Sequence, residues 1–155
     1  MDIRPHASAV FCDDLRQEVT GKMLHIGVYN DEILFNVPPP WTLSGLWCII
    51  TYFEEAPAVV PAIDFKATLT TADGVLELFR YTQTLTGDEM VVQEPHKFET
   101  DSKPVLTLRA FYYLSPMSLA GPAKIGVTAV RNGEEIFAGR VRVSEMPATP
   151  VASAT

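Results

Sequence analysis

Apolar and polar side chains alternate along most of this chain, and this period of two restricts its fold more than any other feature. The segment Ile63–Thr70 (IDFKATLT) has an apolar residue at every second position, as expected for a strand with one buried and one solvated face. Ala72, Asp73 and Gly74 then favour a tight turn, and Val75–Tyr81 returns as a partner strand. A β-hairpin is therefore predicted here.

A second hairpin is predicted near the end of the chain, where Lys124–Val130 and Glu135–Val143 flank the turn signal Asn132-Gly133. Further strand-like runs are Ala9–Cys12, Met23–Tyr29, Ile33–Val37, Trp47–Phe53 and Val105–Tyr113, with a short edge strand at Met90–Gln93. Apolar repeats of helical spacing are short, and at most one helical turn is expected, at Asp13–Val19. The pattern predicts an all-β sandwich of about eight or nine mostly antiparallel strands, of the immunoglobulin-like or C2-like kind.

The length of 155 residues fits one domain. We assign residues 1–145 to the sandwich and residues 146–155 (MPATPVASAT) to a Pro/Ala/Ser/Thr-rich tail that we expect to be flexible in isolation. Thr82–Lys103 has a weak pattern, several acids and little apolar content, so we interpret it as a long loop. Loops of such length in compact domains usually have a function or reach a partner.

Net charge and hydropathy exclude several classes of partner. The formal charge is −7, and the twelve Lys and Arg residues are scattered rather than clustered, which disfavours binding to nucleic acid. A secretory signal and an apolar run long enough to span a membrane are both lacking, so we expect a cytoplasmic protein without a membrane partner. Cys12 and Cys48 lie in apolar runs and are expected to be buried, reduced thiols, unless their strands are neighbours and allow a disulfide.

The obvious group for acid/base chemistry is formed by Asp13, Asp14 and Glu18, with Arg16 among them. Successive side chains of an extended chain diverge, and Arg16 can neutralise any of these acids, so we interpret the cluster as a structural corner between two strands. A cation site of carbonyl and carboxylate oxygens is the main alternative, and catalysis is less favoured. Motifs of nucleophilic, zinc or phosphate-binding sites are missing, so no catalytic residue, metal ligand or cofactor is predicted.

Aromatic residues form the second group of interest. Trp41 follows three prolines, and Trp47 begins the almost continuous apolar run WCIITYF, which indicates a strand covered on both sides, within a sandwich or at a subunit contact. Phe111–Tyr113 places rings on both faces of another strand. We list Trp41, Trp47, Phe111 and Tyr113 as candidate interface residues, together with His96 in the long loop, and packing in the core is the alternative for Trp41.

The stretch Phe11–Tyr29 reads FCDDLRQEVTGKMLHIGVY. Its pattern FCDDxRQExxGKxxxIGVY, with the later strands and the closing NGEE hairpin, resembles an uncharacterised family of small all-β proteins found in bacteria and in their phages and prophages. The resemblance implies an all-β fold and a location in the virion or the bacterial cytoplasm. It implies no activity and no catalytic residue.

Together these observations predict a non-enzymatic structural or interaction protein. The preferred hypothesis is an accessory component of a phage or prophage virion, which decorates or joins a larger assembly through contacts with other copies of itself or with virion proteins. The alternative is a small cytoplasmic module that binds a host protein or a small ligand, with the Asp13, Asp14 and Glu18 cluster or the Thr82–Lys103 loop as its site.

Overall fold

A computed structural model describes residues 4–57, 59, 61–84 and 104–147, together with the backbone of residues 92–93. Within these residues the chain forms only strands and turns. The strands are β1 (His6–Gln17), β2 (Met23–Tyr29), β3 (Glu32–Phe35), β4 (Trp41–Leu43), β5 (Leu46–Glu55), β6 (Ile63–Thr71), β7 (Gly74–Gln83), β8 (Val92–Gln93), β9 (Val105–Leu114), β10 (Met117–Leu119), β11 (Ala123–Arg131) and β12 (Glu134–Glu145).

Two five-stranded sheets make up the domain. The first sheet has the order β2-β1-β5-β9-β8, the second has the order β3-β12-β11-β6-β7, and β4 pairs with β10 in a small third sheet. The β12–β3 pair is parallel, whereas the other pairs are antiparallel. The predicted all-β sandwich with mostly antiparallel strands is therefore confirmed, although the described residues form twelve strands rather than the eight or nine expected.

The core lies between the inner faces of the two large sheets. Phe11 and Tyr52 of the first sheet pack in one cluster with Phe65 and Ile125 of the second. Each of these side chains comes from the apolar half of an alternating pattern, which places it on the buried face of its strand. The small third sheet adds Trp41, Leu43 and Leu119 to the same core.

Both predicted hairpins are present. The strands β6 and β7 pair from Ile63–Gln83 down to Thr71–Gly74, and β11 and β12 pair down to Arg131–Glu134. In the second turn Asn132 and Gly133 have φ angles of 52° and 82°, and positive φ at both central residues is typical of the type I′ turn that Asn-Gly favours.

The opening stretch differs from its predicted structure. Strand β1 continues to Gln17, so the helical turn expected at Asp13–Val19 is wrong, and Asp13 and Asp14 lie within a strand rather than at a corner. The chain reverses after Gln17, where the Gly21 amide donates to the Glu18 carbonyl at 2.8 Å.

The predicted long loop and tail lie mostly outside the described residues. Strand β7 extends to Gln83, and β8 (Val92–Gln93) pairs with β9 at the edge of the first sheet; the predicted edge strand began at Met90. The rest of the Thr82–Lys103 segment beyond residue 84, including His96, is outside the described part, and so are residues 148–155 of the tail. Among the described residues, no helix has the length and apolarity needed to span a membrane.

Candidate interaction surface

The outer face of the first sheet, which points away from the core, carries mainly apolar side chains. Register aligns them in rows across four strands, for example Val28, Cys12, Trp47 and Tyr113 in one row. The members are Leu24, Ile26 and Val28 of β2, Val10 and Cys12 of β1, Trp47, Ile49 and Phe53 of β5, and Phe111 and Tyr113 of β9. We call this set the apolar face.

The apolar face has a covered centre and an open periphery. Ile49 is 3% exposed and Cys12 is fully buried, although both point outward. Around them Leu24, Ile26, Val28, Phe111 and Tyr113 are each between 40% and 52% exposed. Single exposed apolar residues are common on proteins, but a contiguous group of this kind marks an interaction surface.

Aromatic contacts fix the rings of the apolar face. The Trp47 and Tyr113 rings are tilted by 53° with their centroids 5.3 Å apart, and the His6 ring stacks on Phe53 at 4.9 Å. Gly45 makes room for the Tyr113 hydroxyl, which lies 1.6 Å from the position that a Cβ atom would take. The rings are therefore held before any partner binds, which lowers the entropic cost of an interface.

Part of the opening stretch projects beyond the sheet. Strand β1 pairs with β5 from His6 to Cys12, and beyond Cys12 its described pairing is with β2 alone. We call the two-stranded ribbon from residue 13 to residue 27 the arm. A two-stranded ribbon by itself is marginally stable in water. Leu24 and Ile26 continue the apolar face into the arm, where they are 45% and 41% exposed.

A specific contact anchors the base of the arm. The Tyr29 hydroxyl donates to Asp13 Oδ1 at 2.5 Å. Burial, followed by this hydrogen bond, raises the pKa of Tyr29 to about 12. Gly27 has a φ of 66° and leaves space for the Asp13 carboxylate, because a Cβ atom at residue 27 would clash with Asp13 Oδ2.

The acids of the opening stretch do not converge on one site. Asp13 bonds Tyr29 on the inner side of the strand, whereas Asp14 on the outer side binds Arg16 Nε at 2.7 Å. The hydrogen bond from Arg16 holds the pKa of Asp14 below its usual value, and Glu18 in the turn accepts from Thr20. In the described part of the chain, no three His, Cys, Asp or Glu side chains are grouped closely enough to hold a metal ion.

The two cysteines are free, buried thiols, as predicted. Their strands are neighbours, but Cys48 pairs with Phe11 and so faces the core, whereas Cys12 is one residue further on and faces outward. Burial raises the pKa of Cys48 to about 12, and burial together with the charge of Asp13 raises that of Cys12. Both groups are protonated at neutral pH, which makes them poor nucleophiles.

The structure separates the candidate interface residues. Trp47, Phe111 and Tyr113 lie together on the apolar face. Trp41 does not, because it is 2% exposed, its Nε1 donates to the Val37 carbonyl at 2.7 Å, and its ring stacks on Phe35. Trp41 is thus a core residue rather than an exposed anchor, and His96 is outside the described residues.

Sequence reasoning missed Leu24, Ile26 and Val28. The signal was present in MLHIGVY, where these three residues alternate with His25 and Gly27. The other side of the strand carries Met23, His25 and Tyr29. In the structure His25 is exposed on that side, and the apolar side is the one that continues the sheet's outer face.

The outer face of the second sheet has the opposite chemistry. Ion pairs join Lys66 to Glu135 at 2.7 Å and Arg142 to Glu32 at 2.9 Å across strands, and Arg80 to Glu77 at 2.8 Å along β7. We call the face that contains these six residues the ionic face. Hydrogen bonds from Arg80 and Lys66 hold the pKa values of Glu77 and Glu135 below their usual range.

An open depression of about 430 Å³ lies between the end of β2 and the start of β3. Asp31 and Arg142 contribute to its lining, but the Arg142 guanidinium already binds Glu32. Sites for small ligands usually enclose most of the ligand in an apolar cleft. The depression is a weaker candidate than the apolar face.

Comparison with protein-family models gives no match for this chain, and comparison with curated proteins gives none either. The resemblance of the opening stretch to a bacterial and phage family therefore stays a prediction.

Proposed function

We propose that this protein is a non-enzymatic interaction protein that binds other protein surfaces through the apolar face. The observation that carries the proposal is the contrast between the two outer faces of one sandwich. The ionic face carries three ion pairs beside separate exposed apolar residues such as Phe137, whereas the apolar face continues over four strands. Antiparallel sheets that face water on one side carry polar side chains there. A face that breaks this rule over four strands is built to be covered.

The composition of the apolar face supports a protein partner. Trp47, Phe111 and Tyr113 belong to residue types that dominate the binding energy of protein interfaces. The ten side chains of the apolar face carry no charge, and few polar atoms among them could orient a small polar substrate. The apolar face has instead the buried centre and aromatic rim that suit contact with a second apolar surface.

The resemblance of the opening stretch extends this proposal to an accessory virion component, which decorates or joins a phage or prophage assembly. The arm, which contains most of the resembling stretch, also carries exposed residues of the apolar face. The motif residues Asp13, Gly27 and Tyr29 support this surface by holding the base of the arm. This extension rests on the resemblance, whereas the interaction role rests on the apolar face.

Site-specific photocrosslinking in the cells that express the protein tests the interaction role. A photoreactive phenylalanine replaces Tyr113 on the apolar face or, as a matched control, Phe137, which is an exposed ring on the outer side of the second sheet. We expect intermolecular adducts from position 113 and far fewer from position 137. Adducts of equal yield at both positions, or adducts at 113 only within the same chain, would contradict the proposal.

Fractionation tests the virion extension separately. The tagged chain is expressed in a host during prophage induction, and particles are purified by density-gradient centrifugation. Co-sedimentation of the wild type with particles, reduced by Ile26→Asp, supports a virion component. A chain that stays in the soluble fraction while position 113 still forms intermolecular adducts would contradict the virion extension and leave the interaction role standing.

A further inference from the structure

The apolar face is a sheet face, and this geometry restricts what can cover it. An extended peptide that joins a sheet pairs with backbone groups at an edge strand, but the apolar face presents side chains and not free backbone groups. A second sheet face can pack on it at about 10 Å separation, as sheets do inside sandwiches. The occupant should therefore be another flat, apolar sheet surface.

We propose that the occupant is a second copy of this chain, so that two copies pack apolar face to apolar face around a twofold axis. This inference rests on the proposed function and specifies its partner. A twofold contact joins the same patch on both copies, so the patch must be complementary to itself. The apolar face meets this requirement in charge, composition and size.

Charge is the first argument. The chain carries a formal charge of −7, and two such copies repel each other unless they approach where acids are few. Among the described side chains, register places four charged residues on the outer side of the first sheet, two acids and two bases: Asp14, Glu55, Arg16 and Arg109. This face is therefore balanced in a strongly acidic molecule, and Asp14 and Arg16 already neutralise each other.

Composition is the second argument. Interfaces between identical subunits are more apolar than transient ones, and charged residues are depleted from their centres. The centre of the apolar face holds Ile49, Cys12 and Trp47, with exposed Phe111 and Tyr113 beside them. A strongly charged partner would find no complementary group at this centre.

Size is the third argument. Four strands spaced by ~4.8 Å, each contributing about nine residues at ~3.3 Å per residue, cover roughly 600 Å² in projection. The accessible area of a rough surface exceeds its projection. Two copies would therefore bury a total of at least roughly 1,200 Å², which is the lower end of the range for specific, stable interfaces.

The arm adds area that the rest of the sheet lacks. Leu24 and Ile26 lie beyond the last residue at which β1 pairs with β5, so they extend the apolar face along the ribbon of β1 and β2. Because the contact is twofold, each substitution in the arm acts twice in the dimer. Side chains of the arm therefore allow the contact to be broken without disturbing the core.

Sedimentation equilibrium of the purified full chain tests the proposal. Over a concentration range of about 1–200 μM we expect the wild type to shift from the 17.1 kDa monomer to twice that mass. Ile26→Asp should raise the dimer dissociation constant at least about 100-fold, since two equivalent losses of about tenfold combine. The matched control Phe137→Asp on the opposite outer face should leave the constant within about threefold of the wild type.

A second variant tests whether the effect of Ile26→Asp depends on the sign of the introduced charge. Leu24→Lys places the opposite sign in the arm and should weaken the dimer in the same direction, and circular dichroism should show that each variant keeps the wild-type fold and melting transition. If Ile26→Asp unfolds the chain, Leu24→Lys alone decides. A wild type that stays monomeric throughout the range, or a dimer that Phe137→Asp disrupts and the arm variants do not, overturns the proposal.

Failure of this inference is distinguishable from failure of the proposed function. A monomer whose position 113 crosslinks to a different protein contradicts the second copy and retains the interaction role. A chain that forms no intermolecular adduct at position 113 contradicts both. An adduct between position 113 of two copies supports both.

Discussion

The apolar face and the ionic face lie on opposite sides of one sandwich, and each is the outer side of a five-stranded sheet. On the ionic face Lys66 pairs with Glu135 across strands, and its neighbours carry further ion pairs. On the apolar face, outward-pointing positions of paired strands are occupied instead by Ile49, Phe111 and Tyr113. The inner faces of both sheets carry buried apolar side chains that form one core. Packing in that core therefore does not explain why the two outer faces differ in polarity. The difference is the basis of the proposal that the apolar face binds a partner.

The ion pair between Arg131 and Glu54 belongs to neither outer face. Arg131 Nε lies 2.5 Å from Glu54 Oε2 in an ion pair whose geometry does not meet that of a hydrogen bond, and the Glu54 side chain is 2% exposed. Glu54 Oε1 has no hydrogen-bond partner within the described residues. This pair lies on the inner side of the sheet, next to Tyr52, whose pKa is raised by burial and by the charge of Glu54.

The largest expected effect follows from removing one partner of this buried pair. Arg131→Met should lower the free energy of unfolding by about 3–5 kcal/mol, because it leaves an uncompensated buried carboxylate. Urea denaturation measures the change. The double variant Glu54→Leu with Arg131→Met should recover most of the loss, since an apolar pair removes the buried charge altogether. A single-variant loss below about 1 kcal/mol would show that the pair behaves like the exposed pairs of the ionic face.

The second prediction compares the centres of the two outer faces. Ile49→Ala should cost about 2–4 kcal/mol, because this outward-pointing side chain is already buried by its neighbours. Thr68→Ala, at a half-exposed position on the outer side of the second sheet, should stay within about 0.5 kcal/mol of the wild type. Urea denaturation at low protein concentration measures both. Equal costs at the two positions would remove the structural contrast between the faces.

Local patterns in the sequence predicted the parts of the fold that local interactions determine. The alternation in Ile63–Thr70 and the Asn132-Gly133 signal both describe contacts between residues close in sequence, and both hairpins are present. The continuous apolar run Trp47–Phe53 predicted a strand covered on both sides, and the strand has buried side chains on its inner side and, at Ile49, on its outer side. Its outward side is the centre of the apolar face.

Long-range contacts explain what the sequence did not reveal. Trp41 is buried because β4 pairs with β10, whose residues lie far away in the sequence, and because Phe35 stacks on its ring. The pair Asp13-Asp14 favoured a corner, since acids are rare in strands. The arm tolerates both acids because each has its own partner, Tyr29 or Arg16, on its own side of the strand.

A smaller effect is expected from the exposed ion pairs. Lys66→Ala removes the pair with Glu135 and should cost about 0.2–1 kcal/mol at low salt, because water already solvates most of Glu135. In 1 M NaCl the difference from the wild type should shrink, since screening weakens exposed pairs. Urea denaturation at both salt concentrations provides the measurement. A cost that is larger and independent of salt would indicate that packing of the lysine stem, and not the charge, is lost.

The smallest expected effect is the pH dependence that the ionic face contributes. Arg80 and Lys66 lower the folded-state pKa values of Glu77 and Glu135 from the usual 4.5. Below pH 4.5 the unfolded chain therefore binds more protons at these sites than the folded chain, so the stability they provide is complete above pH 4.5 and is lost as the pH falls through the folded-state values. In urea denaturation between pH 6 and pH 3, the double variant Glu77→Gln with Glu135→Gln should lose stability less steeply than the wild type. If the two slopes coincide, water solvates the ion pairs of the ionic face too well for them to influence folding.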